Sequence, residues 1–209
     1  AGKLWLNEAT GSSIANRVTN AGTVNFVQDG ALTVAGTISG IGRLIQSGSG
    51  ATTLTAENTY AGPTSVTGGT LVAGSNSAFG IASAVTVASA STLDLAGHSG
   101  GIGSLSGLGS VSNSTTSTVV LSVGSDNSST QFGGTIQESS GQISFAKTGS
   151  GTLTLIGTNT YTGPTSVTAG ALQIGNGNNG SINAASPVSI ALGATLWLNA
   201  DRKSTRLNS

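Results

Sequence analysis

Gly149-Ser150-Gly151-Thr152-Leu153-Thr154-Leu155, followed shortly by Asn159-Thr160-Tyr161-Thr162-Gly163-Pro164-Thr165-Ser166-Val167, is the stretch on which the fold turns. Leu153 and Leu155 alternate with threonines, and glycine and asparagine bracket the run. Period-two alternation between turn residues specifies a short, half-buried strand with small hydroxyl side chains on its wet face. The stretch also occurs twice. Residues 149–175 align without a gap on residues 48–74, identical at 17 of 27 positions at an offset of 101. Asn58-Thr59-Tyr60 matches Asn159-Thr160-Tyr161, and Gly62-Pro63-Thr64-Ser65-Val66-Thr67 matches Gly163 to Thr168. Self-similarity over tens of residues marks a repeat architecture.

The match extends loosely on both sides. Val85-Thr86-Val87 pairs with Val188-Ser189-Ile190, and Thr92-Leu93-Asp94-Leu95 with Thr195-Leu196-Trp197-Leu198. Gly36-Thr37-Ile38 precedes one copy and Gly134-Thr135-Ile136 the other, so the repeat units run over about 36–97 and 134–200 of a single 1–200 body. Leu4-Trp5-Leu6-Asn7 copies Leu196-Trp197-Leu198-Asn199, as the tail of a still earlier unit would. Thr23-Val24-Asn25-Phe26-Val27 and Ile143-Ser144-Phe145 alternate in the same way. No run of useful length has a 3.6-residue period, and in the Ala-rich segment 82–90 the Val-Thr-Val core favours a strand.

Composition narrows the class. Of 209 residues only seven are basic and seven acidic, with one His, no Cys and no Met, and 33 are glycine. Charged residues make up 7 % of the chain, against roughly 25 % in an ordinary domain. A net charge of zero without a basic cluster lacks the footprint of a nucleic-acid binder. Absence of Cys excludes thiolate metal sites, disulfides and thiol catalysis. No run approaches the ~18 apolar residues of a membrane-spanning helix. Leu, Ile, Val and Phe number 48 and fall in alternating runs that a disordered linker has no reason to keep.

Among all-β arrangements, a sandwich or barrel of this size would carry charge on its wet faces. Here those positions are Thr, Ser and Asn, which stack like on like. The expected fold is therefore all-β, a right-handed parallel β-helix (β-solenoid) in which each rung touches only its neighbours. Three strands per rung give about seven to ten rungs and a rod of roughly 35–48 Å at the ~4.8 Å strand spacing.

The segments 36–74 and 134–175 resemble the passenger-associated, autotransporter-associated β-strand repeat of bacterial surface proteins. The resemblance rests on Gly-x-Gly-Thr-Leu-Thr-Leu at Gly149–Leu155, Asn159-Thr160-Tyr161-Thr162-Gly163 and Thr165-Ser166-Val167. The first copy departs at Ala51-Thr52 and at Ala56-Glu57, and Pro63 and Pro164 stand where a second glycine is common. The resemblance implies a type V secretion substrate at the Gram-negative cell surface or outside the cell. It would follow a signal peptide, precede a C-terminal outer-membrane barrel and meet host or cell-surface ligands. The chain opens without a leader pattern, and the nine residues 201–209, Asp-Arg-Lys-Ser-Thr-Arg-Leu-Asn-Ser, resemble an in-frame translation of a common sequencing adapter. The expectation is a gene fragment with a non-native tail. Without that tail, four basic and six acidic residues remain.

Chemistry is sparse. Gly97-His98-Ser99-Gly100-Gly101 spells a nucleophile-elbow string, but its only His adjoins its Ser, and a glycine-rich corner is the expectation. Gly175-Asn176-Gly177-Asn178-Asn179-Gly180 spells a dinucleotide fingerprint without the helix or acid that such a site needs. Asp126-Asn127 offers one carboxylate to a calcium ion that wants six to eight oxygens. Glu8, Asp29, Glu57, Asp94, Asp126 and Glu138 lie at least 12 residues apart, although stacking of rungs can bring distant carboxylates together. Only Lys3, Arg17, Arg43 and Lys147 could line a lyase cleft. Tyr60 and Tyr161 occupy equivalent positions, as do Trp5 and Trp197, which predicts packing at a corner or core rung. The sequence thus nominates no catalytic, cofactor-binding or metal residue. Its leading expectation is a non-catalytic passenger fragment serving as a stalk or adhesion scaffold, ahead of a carbohydrate-active β-helix enzyme (glycoside hydrolase or polysaccharide lyase). An ice- or mineral-binding solenoid would need more regular threonine rows.

Overall fold

The computed structural model describes residues 3–6 and 11–199, and the tail at 201–209 and Glu8 lie outside them. Within that range all regular structure is strand, and every strand pair is parallel. The longest sheet stacks ten strands: β1 (Lys3–Leu6), β4 (Thr23–Phe26), β7 (Arg43–Gln46), β9 (Thr64–Val66), β11 (Ala84–Val87), β14 (Ser104–Gly107), β17 (Thr130–Phe132), β20 (Thr152–Leu155), β22 (Ala171–Ile174) and β24 (Thr195–Leu198). A second sheet stacks seven: β2 (Ser12–Ile14), β5 (Leu32–Val34), β8 (Ala51–Leu54), β10 (Thr70–Ala73), β12 (Thr92–Asp94), β15 (Ser110–Asn113) and β18 (Thr135–Glu138). The third face is divided. β3 (Val18–Thr19) pairs only with β6 (Ile38–Ser39), and a five-stranded sheet begins later with β13 (Gly100–Ile102), β16 (Val119–Val123), β19 (Ile143–Lys147), β21 (Thr165–Val167) and β23 (Val188–Ile190).

The chain therefore winds about nine turns of a parallel β-solenoid. Ten strands at ~4.8 Å spacing give a rod roughly 43 Å long, within the length expected from the sequence. The register advances 20 residues per turn at first (Lys3 on Thr23, Thr23 on Arg43) and 25 between Gly107 and Phe132.

Alternation decides what fills the core. In the long sheet Val24, Leu44, Thr64, Val85 and Leu105 stack inward, as do Leu153 and Leu172, while Asn25, Ile45, Ser65, Thr86 and Ser106 stack outward. The second inward row carries Phe26, Gln46, Val66, Val87, Gly107, Phe132, Leu155 and Ile174. Gly107 sits beside Phe132 at φ +106°, and a Cβ there would lie 2.0 Å from the Val87 carbonyl oxygen. Glycine alone fits that backbone. On the outside, Thr86 and Ser106 join hydroxyls at 2.9 Å, one link of the expected polar ladder.

At the last described turn Ile190, Leu192 and Leu198 are exposed. Trp197 is exposed as well, which corrects the expectation of a packed tryptophan. It pairs with outward-facing Gln173, while its neighbours Leu196 and Leu198 continue the inward rows. Period two places Trp197 on the opposite face from those leucines.

Candidate functional site

The asparagine, the tyrosine and the threonine after the proline of each repeated motif lie inside the rod, and the two copies use them in the same way. Asn58 and Asn159 are buried. The Asn58 Oδ1 accepts the Ile38 N–H at 2.7 Å, and the next residue, Thr59, donates its N–H to the Ile38 carbonyl at 3.0 Å. Asn159 Oδ1 accepts the Ile136 N–H at 3.0 Å, and Thr160 N–H reaches the Ile136 carbonyl at 3.0 Å. Ile38 lies in β6 and Ile136 in β18, each the last strand of its sheet. Asn-Thr therefore supplies one side-chain acceptor and one backbone donor where another strand would otherwise pair. The asparagine amides then donate forward, from Asn58 Nδ2 to the Ala78 carbonyl (2.8 Å) and from Asn159 Nδ2 to those of Gly157 (3.0 Å) and Ser181 (2.9 Å).

The tyrosines head a matched pair of buried hydroxyl chains. Tyr60 OH meets Thr64 Oγ1 at 2.9 Å, Thr64 meets Ser83 Oγ at 2.8 Å, and Ser83 donates to the Gly62 carbonyl at 2.8 Å. In the second copy Tyr161 OH meets Thr165 at 2.7 Å, Thr165 meets Ser186 at 2.9 Å, and Ser186 donates to the Gly163 carbonyl at 2.7 Å. Burial pushes the Tyr161 phenol up to about 12, against the hydrogen bonds from Thr165 and Ser186 that lower it. Tyr60 is raised by burial as well. Packing, as the repetition predicts, is what both tyrosines do. Pro63 and Pro164 serve through their carbonyls, which accept the N–H of Leu44 (3.0 Å) and Phe145 (2.8 Å). Their missing donor is not needed.

One internal pair escaped the sequence reading. Gln46 and Lys147 stand 101 residues apart, both with inward parity and both buried. Gln46 Nε2 donates to the carbonyls of Gly48 (2.9 Å) and Gly50 (3.2 Å). Lys147 Nζ donates to those of Thr148, Gly149 (2.9 Å) and Ala169 (3.4 Å). Burial lowers the Lys147 pKa, partly offset by the charge of Asp126. Both side chains close corner carbonyls from within. The signal was legible in the Ile143-Ser144-Phe145-Ala146-Lys147 alternation, which puts Lys147 on the face of Ile143 and Phe145.

The carboxylates stay apart in function. Asp29 accepts Ser49 Oγ at 2.8 Å, Asp94 accepts the N–H groups of Ala96 (3.0 Å) and Ser114 (3.1 Å), and Asp126 accepts that of Ser128 (2.9 Å). Glu138 closes a corner: Oε1 accepts the N–H groups of Ile143 (2.7 Å) and Thr162 (2.8 Å), and Oε2 accepts the Thr162 hydroxyl (2.9 Å). Burial raises its pKa, but these bonds together with the Gly163 N–H outweigh it and hold the carboxyl below its ordinary value. Among the described residues no three of His, Cys, Asp and Glu converge on a metal position. Ser99 Oγ accepts the Val120 N–H at 2.9 Å, and a strand rather than a helix follows the Gly97-His98-Ser99 turn. The 175–180 segment likewise leads to a bridge at Ser181, not to a helix.

Outside, two hollows mark corners of the rod, one of about 290 Å³ beside Glu57 and Ile81 and one of about 320 Å³ beside Leu108 and Gln137. Each holds at most one charged side chain.

Residues 44–73 and 145–174 each match the family model described as Passenger-associated-transport-repeat. The chain carries two passenger-associated transport repeats. Both matches begin two residues before the buried Gln46 and Lys147 and end on the inward-facing close of a strand, β10 or β22. These repeats and the parallel β-solenoid are consistent with an autotransporter passenger. No curated protein and no solved structure matches the chain.

The two repeats do not present the same face. In the first, the strands are β7 to β10, alternating between the long and the seven-stranded sheets; in the second they are β19 to β22, alternating between the five-stranded and the long sheets. An offset of 101 is not a whole number of turns, so equivalent outward residues such as Thr53 and Thr154 project from different sheets.

Proposed function

We propose that the chain is a non-catalytic passenger segment displayed at the Gram-negative cell surface, acting as a stalk or adhesion scaffold that carries a binding region elsewhere in its protein. The supporting observation is where the motif side chains go. In both repeats the Asn amides and the Thr–Ser hydroxyl links join one turn to the next, while Tyr60, Tyr161, Gln46 and Lys147 spend their polar atoms on partners inside the rod. Because the copies also sit on different faces, they build no shared ligand surface. Parallel turns closed in this way make a stiff spacer. A chain without cysteines suits export in an unfolded state, since no disulfide can form before translocation.

The test places the chain between a secretion leader and an outer-membrane barrel on Gram-negative cells. Labelling of intact cells by an antibody, and release by external protease of a β-rich fragment, support display. Retention inside the cell overturns it. Binding of the displaying cells to host-cell surfaces above a barrel-only control supports adhesion. Turnover of any member of a polysaccharide panel by the purified chain overturns the non-catalytic reading.

A further inference from the structure

The 175–180 loop contains the chain's two Asn-Gly pairs, Asn176-Gly177 and Asn179-Gly180. An asparagine followed by glycine is prone to cyclise, because no side chain on the next residue obstructs attack by its backbone nitrogen. The two pairs are held very differently. Asn176 Oδ1 accepts the N–H groups of Asn178 (3.1 Å) and Asn179 (3.0 Å), and the Gly177 N–H donates to the Asn199 carbonyl at 2.7 Å. Both reacting groups of the first pair are therefore engaged. At the second, Asn179 is exposed, its side chain has no hydrogen bond, and the Gly180 N–H has no acceptor among the described residues. Only the Asn179 backbone is anchored, through its N–H to Asn176 Oδ1 and its carbonyl from the Asn176 N–H at 3.0 Å.

We infer that Asn179 is a site of spontaneous deamidation and isoaspartate formation on the folded solenoid, and that Asn176 is protected. The deprotonated Gly180 nitrogen attacks Asn179 Cγ. The N–Cγ bond forms and the Cγ–Nδ2 bond breaks, and the amide leaves as ammonia after taking up a proton. Water then opens the succinimide at either carbonyl, giving aspartate or isoaspartate. No oxidation state changes, and the only co-reactant is water. Because the attacking species is an amide anion, the rate climbs with pH. The product carries a new carboxylate at a corner whose residues 175–184 are all uncharged.

The experiment incubates the full purified chain at mildly alkaline pH and maps its peptides by mass spectrometry, with enzymatic methylation reading isoaspartate. A parallel sample is incubated in urea. In the folded chain Asn179 should convert and Asn176 should be about tenfold slower, the factor imposed by breaking one hydrogen bond of about 1.4 kcal/mol before attack. In urea the two sites should converge. Asn179→Gln should abolish the folded-state isoaspartate signal. Equal rates at both sites in the folded chain, faster conversion at Asn176, or full protection of both until urea is added would each overturn the assignment.

Discussion

Replacing Asn159 with alanine tests the idea that the repeat motif ends a sheet. The side chain is buried and makes three bonds: it accepts from the Ile136 N–H and donates to the carbonyls of Gly157 and Ser181. Truncation strands the Ile136 N–H against a methyl group, and an unsatisfied buried donor costs about 1–3 kcal/mol. Both carbonyls lose a donor too, although Ser181 O keeps the Asn159 N–H at 3.0 Å. A loss of about 3 kcal/mol in all is expected. Asn159→Asp keeps the acceptor but sets a carboxylate against two carbonyls, so it should not rescue. Since solenoids unfold by nearest-neighbour steps, a single melting point is a poor reporter. Amide hydrogen exchange resolved by residue is the better assay. Ile136 should lose protection by about two orders of magnitude in Asn159→Ala, at about 1.4 kcal/mol per tenfold, while Ile38 stays unchanged. Asn58→Ala should do the reverse, exposing Ile38 and sparing Ile136. If Ile136 keeps its protection in Asn159→Ala, the asparagine does not substitute for a strand and the account of the motif is wrong.

Alkali should act through the tyrosines: with the folded Tyr161 pKa raised to about 12 from 10.0, its stabilisation is full below pH 10 and is lost as pH rises toward 12, by about 2.7 kcal/mol. Lys147, whose pKa burial depresses, acts in the opposite sense, so the comparison to make is urea stability of Tyr161→Phe against the parent, and an equally steep decline above pH 10 in both would refute the assignment. Glu138 has a lowered folded pKa, so its contribution is present above the ordinary carboxyl value of about 4.3 and fades as pH falls below it. Glu138→Gln should flatten the acid limb of the stability curve there, and an unchanged limb would count against the corner role. Ser91 is buried with no partner for its Oγ among the described residues, so Ser91→Ala should be neutral or stabilise by up to about 1 kcal/mol, measured by urea denaturation, and a clear loss would refute this.

Alternation in the sequence was enough to sort inward from outward side chains. Leu153 and Leu155 are buried and Thr154 is not, as the Thr-Leu-Thr-Leu string requires. The same alternation sets Trp197 outward, between Leu196 and Leu198 of the inward rows, against the packed position that its recurrence predicts. Recurrence reports that a residue is retained by the repeat, not which side of the strand it occupies. The buried Asn-Thr-Tyr chemistry was visible only as identity between copies. Its partners Ile38, Ser83 and Ile136 come from neighbouring turns, and their pairing depends on a register that short, unequal loops set. The same loops hid the change of face: five residues separate β15 from β16 and six separate β16 from β17, whereas β6 and β7 are three apart.

That change of face follows from what the motif does. A β-solenoid with three uniform sheets must keep every turn in phase, because each strand needs a partner above and below. An Asn-Thr pair relaxes this requirement by completing the hydrogen bonds of a final strand with one side-chain oxygen and one N–H. Beyond that point the third side of the turn is free to run as irregular backbone, as at 58–62 and 159–163, where the tyrosine fills the vacated core and its hydroxyl chain ties down the crossing. The long sheet continues uninterrupted through both places and keeps the rod straight in register. Each repeat is thus a joint at which one side face stops without breaking the stack. Turn length and face number can vary between joints, and this explains how a 101-residue spacing, incommensurate with the turn, coexists with matching sheet-end caps and tyrosine hydroxyl chains in the two repeats.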